Sequence, residues 1–366
     1  MKRILTLMLV GVLVLSGCGR RGEPAATVPE TVPTTLATTV PTEPTTVPTT
    51  EPPPVYRNPL NGEILDAPFT GRVYANTVSN VRDALPHVGV NQADILMEMF
   101  VNASIDRCLA LYTDFASVEA VGSTRSTRLM FNDIAQHYSL ILTHAGGSSQ
   151  CLHDARDRGI VHYNIDSLMR QVDPLMKGTA YRDKVYKHGE HNLFGIGAGI
   201  MAYAEAQGVP MTLEKDYGLI FEDDGTPENG EEAATIRVTI TVGRYKKETV
   251  MEYDPAAGKY TYWQYGKEMA DQITGEPERF TNVVIMMADI TMNGMYQQAD
   301  FVAGGTGYYA CGGKIIPLTW TCADEDSPFQ FWTESGDPLP FGQGNTYIAI
   351  TSPDSPVTYT PAEAEE

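Results

Sequence analysis

Basic residues are scarce in this 366-residue sequence: 26 Lys and Arg face 46 Asp and Glu, a formal net charge of −20. Such a balance argues against nucleic acid as a partner and against wide contact with an anionic membrane surface. Cysteine is scarce too, with five in all and none at CxxC spacing, which removes the usual zinc and thiol-redox frameworks. No GxSxG elbow occurs, so a serine hydrolase would lack its nucleophile turn. No repeat of fixed period is present, which excludes a solenoid or a propeller. The apolar run from Ile4 to Leu15 is too short to span a bilayer. Nothing in the sequence calls for a cofactor or a resident metal.

What is present begins with an address. Lys2 and Arg3 precede the apolar run, which closes on Leu15-Ser16-Gly17-Cys18. That tetrapeptide resembles the bacterial lipobox, so residues 1–17 read as a lipoprotein signal peptide. The resemblance implies cleavage before Cys18 and diacylation of its sulfur, two chains being enough for stable anchoring. The expected location is the outer face of the bacterial cytoplasmic membrane. Cleavage removes Lys2 and Arg3 and moves the charge from −20 to −22. Residues 18–56 follow as a tether of Thr, Pro, Val and Glu that cannot bury a core and is expected to stay disordered. At about 3.1 Å per residue it reaches on the order of 100 Å.

Residues 57–356 hold the globular part, and composition shifts near residue 210. Before it, the strand-like runs 72–78, 93–101, 106–113 and 139–144 alternate with helical segments at 128–138, 149–159 and 192–208. Beyond it, alternating runs at 235–243, 248–266, 282–290, 305–322 and 345–352 are broken by Gly, Asn and Asp turns. The fold class predicted is α+β: an α/β layered domain over 57–210 with a ligand crevice, then a mostly antiparallel β-rich domain over 211–356. Residues 357–366 read as an acidic disordered tail. Cys108, Cys151, Cys311 and Cys322 are expected to be buried free thiols, since a turn at Gly312-Gly313 carries Cys322 away from Cys311.

The stretches "NPLNGE" (58–63), "ADILMEM" (93–99), "GSTRSTR" (122–128), "THAGGS" (143–148), "YRDK" (181–184), "HNLF" (191–194) and "GGKIIPLTW" (312–320) follow in order. On them the chain resembles the YerB-like lipoproteins, a bacterial family described as of unknown function. The resemblance implies an exported, membrane-anchored protein of two domains, and no particular reaction.

Two of those stretches share one design: Gly and small hydroxyl residues just ahead of a helix. Helix N-termini offer unpaired N–H groups and a partial positive charge, which suit phosphate, sulfate or carboxylate. Gly146 and Gly147 permit close backbone approach, Ser148 or Ser149 can cap the helix or donate to a ligand, and Ser126 is a further ligand-binding candidate. Arg125 and Arg128 add guanidinium forks. Arg182, His191 and Asn192 are further candidates for the same crevice. His144 and Glu98 are the weak candidates for acid–base catalysis. Glu98, in an apolar strand, needs a partner, with Arg107 or Arg125 the expected ones. "HGEH" (188–191) offers metal-type ligands, but in an extended segment they do not converge, so no metal is assigned. Tyr260, Tyr262, Trp263 and Tyr265 suit either sugar stacking or a core face.

Three functions follow as expectations. The first is a membrane-anchored binding module for an anionic wall polymer or an envelope protein. The second is a cell-wall hydrolase or transferase using His144 and Glu98. The third is a non-catalytic envelope scaffold.

Overall fold

A computed structural model of the chain describes residues 54–183 and 189–362. The signal peptide, Cys18 and the tether up to residue 53 lie outside the described residues, as do His188 and the last four residues of the tail.

Strands β1 (Tyr74–Ser79), β2 (Ile95–Asn102) and β3 (Ile105–Tyr112) are the apolar runs legible in sequence, and nearly every side chain in them is buried. Helix α1 (Leu129–His137) turns Leu129, Phe131, Ile134 and Ala135 inward. Strand β4 (Ile141–His144), helix α2 (Ser149–Asp157) and strand β5 (His162–Asn164) follow. The 192–208 segment is not one helix. Leu193–Gly195 is a strand, and only Gly197–Ala206 is helical, as α2's successor α3. The strand wins because Phe194 pairs on both sides, with Tyr181 and with Gly122.

The second half supplies β6 (Thr235–Val242), β7 (Tyr245–Asp254), β8 (Lys259–Gln264) and β9 (Asn282–Met287). It continues with β10 (Asp289–Asn293), β11 (Tyr296–Asp300), β12 (Gly305–Cys311), β13 (Lys314–Thr321) and β14 (Thr346–Thr351). The β12–β13 hairpin turns at Gly312-Gly313, with Cys311 opposite Lys314.

The protein is mostly β, with several sheets. Its largest sheet has 13 strands, with the central order β13-β12-β9-β14-β2-β3-β1-β4-β5. The sheet is mixed: β14 is parallel to both β9 and β2, and β4 is parallel to both β1 and β5. Strands from both sides of residue 210 therefore share one hydrogen-bonded surface. A second, six-stranded sheet is built on β6, β7 and β8. Val357–Thr360, expected to belong to a disordered tail, is instead a strand of this sheet, because its backbone pairs antiparallel with β6.

The two faces of β2 have different neighbours, as the period of two requires. Leu96 and Phe100 join a core with Ile236, Val238, Met251, Tyr260 and Tyr262 of the second sheet. Met97 and Met99 join one with Met130, Phe131 and Ile134 of α1. Tyr260 and Tyr262 are thus core residues, as is Trp320.

All four described cysteines are free and buried. A thiol reagent is expected to label Cys108, Cys151, Cys311 and Cys322 only after denaturant is added, and reductant is expected to leave the unfolding midpoint unchanged. Labelling under native conditions, or a drop in the midpoint with reductant, would show that the thiols are exposed or bridged.

Candidate functional site

The two Gly/Ser loops meet. The chain leaves Val121–Gly122 and crosses β1, where Ser79 N–H donates to the Ser123 carbonyl at 2.9 Å and Arg125 N–H to that of Thr77 at 3.0 Å. It then runs beside the loop that follows β4. Ala145 N–H donates to the Arg125 carbonyl at 2.9 Å, and Thr127 N–H to that of Gly146 at 3.0 Å. The Ser126 hydroxyl donates to the Ala145 carbonyl at 3.0 Å. Gly146 stands at φ +74°, where a Cβ would strain the backbone, and its N–H donates to Asn164 Oδ1 at 3.0 Å. Gly147 forms the bridge to Thr127.

Helices α1 and α2 leave this junction under different terms. Ser148 Oγ accepts from Cys151 N–H at 3.2 Å and caps α2. Helix α1 starts at Arg128 with no side-chain cap. Buried Asn132 locks the two together: its Oδ1 accepts from the Thr127 hydroxyl, and its Nδ2 donates to the Cys151 carbonyl and to Asp154.

Three guanidinium groups surround the junction. Arg125 is half-buried and donates to the Glu190 carbonyl at 2.6 Å and to its carboxylate at 3.2 Å. Arg128 is buried, donates to the Thr127 carbonyl at 2.6 Å, and lies 5.4 Å over the Tyr296 ring. Arg107, on β3, is 2% exposed and donates from Nη1 to the Ser126 carbonyl. Among the described residues no carboxylate pairs with Arg107. Burial, and then the like charges of Arg128 and Arg125, hold its pKa well below the usual arginine range. Burial likewise lowers that of Arg128.

Residues 189–192 approach from the other side through the Arg125–Glu190 contact. His191 is buried. Asn192 Oδ1 accepts from Arg182, whose Nη2 also binds Asp166 at 2.6 Å. Asp166 follows Asn164, the residue that holds Gly146. Arg125, Ser126, Arg128, Gly146, Gly147 and Ser148 are therefore brought together, and Arg182, His191 and Asn192 sit one contact further out. His188 lies outside the described residues, and among those described no group of three or more His, Cys, Asp or Glu could hold a metal ion.

His144 is fully buried behind the Gly146 turn. Its Nδ1 lies 2.8 Å from the Gly146 carbonyl, so it carries the proton, and its Nε2 accepts from His162 Nδ1 at 2.9 Å. Burial, with the neighbouring His162, pushes its pKa down to about 3. Both ring nitrogens are occupied, so the ring braces the turn in its neutral form.

The expected pairing of Glu98 with Arg107 or Arg125 does not form. Glu98 lies opposite Cys108 in the β2–β3 register and Arg107 lies opposite Met99, so the two charges leave opposite faces of the sheet. Glu98 instead accepts from Lys247 at 2.6 Å, Tyr262 at 2.6 Å, Tyr347 at 2.6 Å and Thr249 at 3.1 Å. Burial raises its pKa, but Lys247 and the hydroxyl donors outweigh burial and hold it below the usual glutamate value. Lys247 also binds Asp106, whose pKa burial drives well up despite the ammonium. The two carboxylates in turn raise the pKa of Lys247 against its burial. A cavity of about 300 Å³ opens beside Lys247, lined also by Phe100, Ser104 and Tyr265. Glu98 and His144 are three strand steps apart across β2-β3-β1-β4, roughly 14 Å at about 4.8 Å per step, and do not form an acid–base pair.

Sequence reasoning named Arg107 only as an ion-pair partner and did not single out Asn132, Asn164, His162 or Lys247. Arg107 was findable as a lone charge inside an apolar strand. The others carry no local signal, because their roles come from long-range contacts.

Comparison with known proteins gives two domain matches: "Protein of unknown function (DUF3048) N-terminal domain" over residues 61–210, and its C-terminal counterpart over residues 238–348. The chain is 27% identical over 300 residues to "Putative lipoprotein YerB" of Bacillus subtilis (strain 168), covering 78% of this chain and 86% of that protein. The crystal structure of Bacillus subtilis YerB shares the fold, with a TM-score of 0.70 at 24% identity over 82% of this chain and 99% of that one.

Two outcomes follow. Replacing Lys247 by Met strands Glu98 in the core and is expected to cost about 3–5 kcal/mol in denaturant unfolding; a change under 1 kcal/mol would contradict the network. His144 stays neutral when folded but takes a proton in the unfolded chain below its ordinary pKa of about 6.5. Its contribution is therefore intact above pH 6.5 and falls by about 1.4 kcal/mol per pH unit toward pH 3. In the His144→Gln variant that part of the slope is expected to vanish, and an unchanged slope would refute the assignment.

Proposed function

The chain belongs to the YerB-like family of DUF3048 proteins, and on that premise we propose that it is a lipid-anchored extracytoplasmic protein that binds an anionic ligand of the cell envelope. The lipobox-like "LSGC" ending at Cys18 and the lipoprotein name of the relative support the anchor. In this reading the α/β-layered segment 57–210 carries the crevice, and the β-rich segment 211–356 completes the sheet behind it.

The observation that carries the binding role is the pairing of Thr127 with Gly146 at 3.0 Å, which sets two Gly/Ser loops side by side between Arg125 and Arg128. The rim is open where it matters: Ser126 and residues 145–148 are half-exposed. In a chain of formal charge −20 a local cluster of guanidinium groups is the means by which an anion could be held. No reaction is assigned, since His144 is neutral with both nitrogens occupied and Glu98 serves the opposite face of the sheet.

Two experiments test this. Changing Cys18 to Ala is expected to release the protein from the membrane fraction into the medium, and retention in the membrane would overturn the anchor. Isolated cell envelope stripped of membrane lipid is expected to co-sediment the unlipidated Cys18→Ala chain, with affinity falling at least tenfold when Arg125→Gln and Arg128→Gln are added and with added salt. Sedimentation that is indifferent to both would overturn the binding site.

A further inference from the structure

We propose that the arginine cluster is built for a phosphate group carrying two negative charges, a terminal phosphomonoester or a diphosphate, with Arg107 as the floor of the site. This rests on the binding role proposed above and names the chemistry of its ligand.

Arg107 is the anomaly from which the inference starts. Most other cations drawn into this fold have acids: Lys247 binds Glu98 and Asp106, Arg158 binds Asp133 and Asp154, and Arg182 binds Asp166. Arg72, which has none, is less buried than Arg107 and donates to two carbonyls, those of Ser139 and Pro210. Arg107, at 2% exposure, touches a single backbone carbonyl, and its Nε is buried without a partner. The Nε of Arg128 is buried without a partner as well. A buried charge with no counter-ion costs several kcal/mol, and both orphaned donors belong to guanidinium groups beside the same loop. An oxyanion supplies the missing charge and the missing acceptors together.

The charge count selects the ligand. Arg107, Arg125 and Arg128 face one acid, Glu190, whose side chain is 70% exposed and whose contact with Arg125 is therefore weak. Two negative charges balance the cluster, where a carboxylate or a phosphodiester brings one. Tetrahedral oxygens also suit several planar forks at once. The uncapped start of α1 adds its partial positive charge at Arg128. Cys151 on α2 and Tyr296 on β11 are the other titratable groups that act on the cluster.

The test is calorimetric titration of the full chain with glycerol 3-phosphate, dimethyl phosphate and acetate between pH 5 and pH 7.5. A phosphomonoester has its second pKa near 6, so affinity for glycerol 3-phosphate is expected to rise about tenfold over that range. Dimethyl phosphate keeps a constant charge over that range and reports any titration of the protein's own groups; it and acetate are both expected to bind at least tenfold more weakly than glycerol 3-phosphate at pH 7.5. Arg107→Gln is expected to lose at least tenfold in affinity while its thermal midpoint stays level or rises, because an unpaired buried cation has been removed. A purely structural Arg107 would lower the midpoint and leave binding unchanged, which overturns the assignment. Vesicles of phosphatidate tested beside soluble glycerol 3-phosphate show which molecule presents the group, and binding to either supports the proposal. If acetate or dimethyl phosphate binds as well as glycerol 3-phosphate, the phosphate assignment fails while binding to envelope still stands. If no anion binds at 10 mM and envelope does not sediment the protein, both readings fail.

Discussion

The ammonium of Lys247 sits where two sheets meet, and the packing between them depends on it. It reaches from β7 in the second sheet to Glu98 on β2 and Asp106 on β3 in the first. Tyr262 and Thr249 from the second sheet, and Tyr347 from the central strand β14, complete the shell around Glu98. A hydrophobic interface alone tolerates sliding; an ammonium held between two buried carboxylates does not, because any displacement leaves a charge without its donors. The same network fixes which side of β2 faces inward, and thereby sends Arg107 to the side where α1 and the ligand loops lie.

That division gives the protein two polar regions of opposite character separated by one layer of backbone. On the second-sheet face, two acids share one lysine, and Glu98 takes donors from Lys247, Thr249, Tyr262 and Tyr347. At the loop junction on the α1 face, three guanidinium groups face one acid, and the Nε atoms of Arg107 and Arg128 are buried without acceptors. The first arrangement is what a stabilising network looks like. The second is incomplete by itself, and its incompleteness in an otherwise acidic chain makes it the candidate site.

Local features were legible in the sequence where the physics is local. The apolar runs of β1 to β3, the periodicity of α1, the Gly159 stop of α2 and the Gly312-Gly313 turn all appear as read, because each depends on neighbours within a few residues. The shared design of the two loops was visible as well. Partnership was not. Glu98 is 149 residues from Lys247, and nothing near either residue announces the other. The segment 192–208 was misread because its first residues pair with Tyr181 and Gly122, contacts that override a run of helix-compatible residues. His144 looked like a base by its chemistry; only the carbonyl of Gly146 and the ring of His162 reveal it as a brace.

Strand β14 has a consequence for the order of assembly. It lies between β9 and β2 and is parallel to both, so the middle of the large sheet is filled by residues 346–351, near the end of the chain. As the polypeptide emerges from its N-terminus, β2 and β3 can form their antiparallel pair early, yet the inner edge of β2 stays open until almost the whole chain has appeared. Closing it brings together residues about 250 apart in sequence, a slow search compared with forming a hairpin. Until then an apolar strand edge is exposed to any other strand that passes. The fold is therefore completed from its tail, and a chain stopped short of residue 346 would present an open seam rather than a smaller version of the same protein.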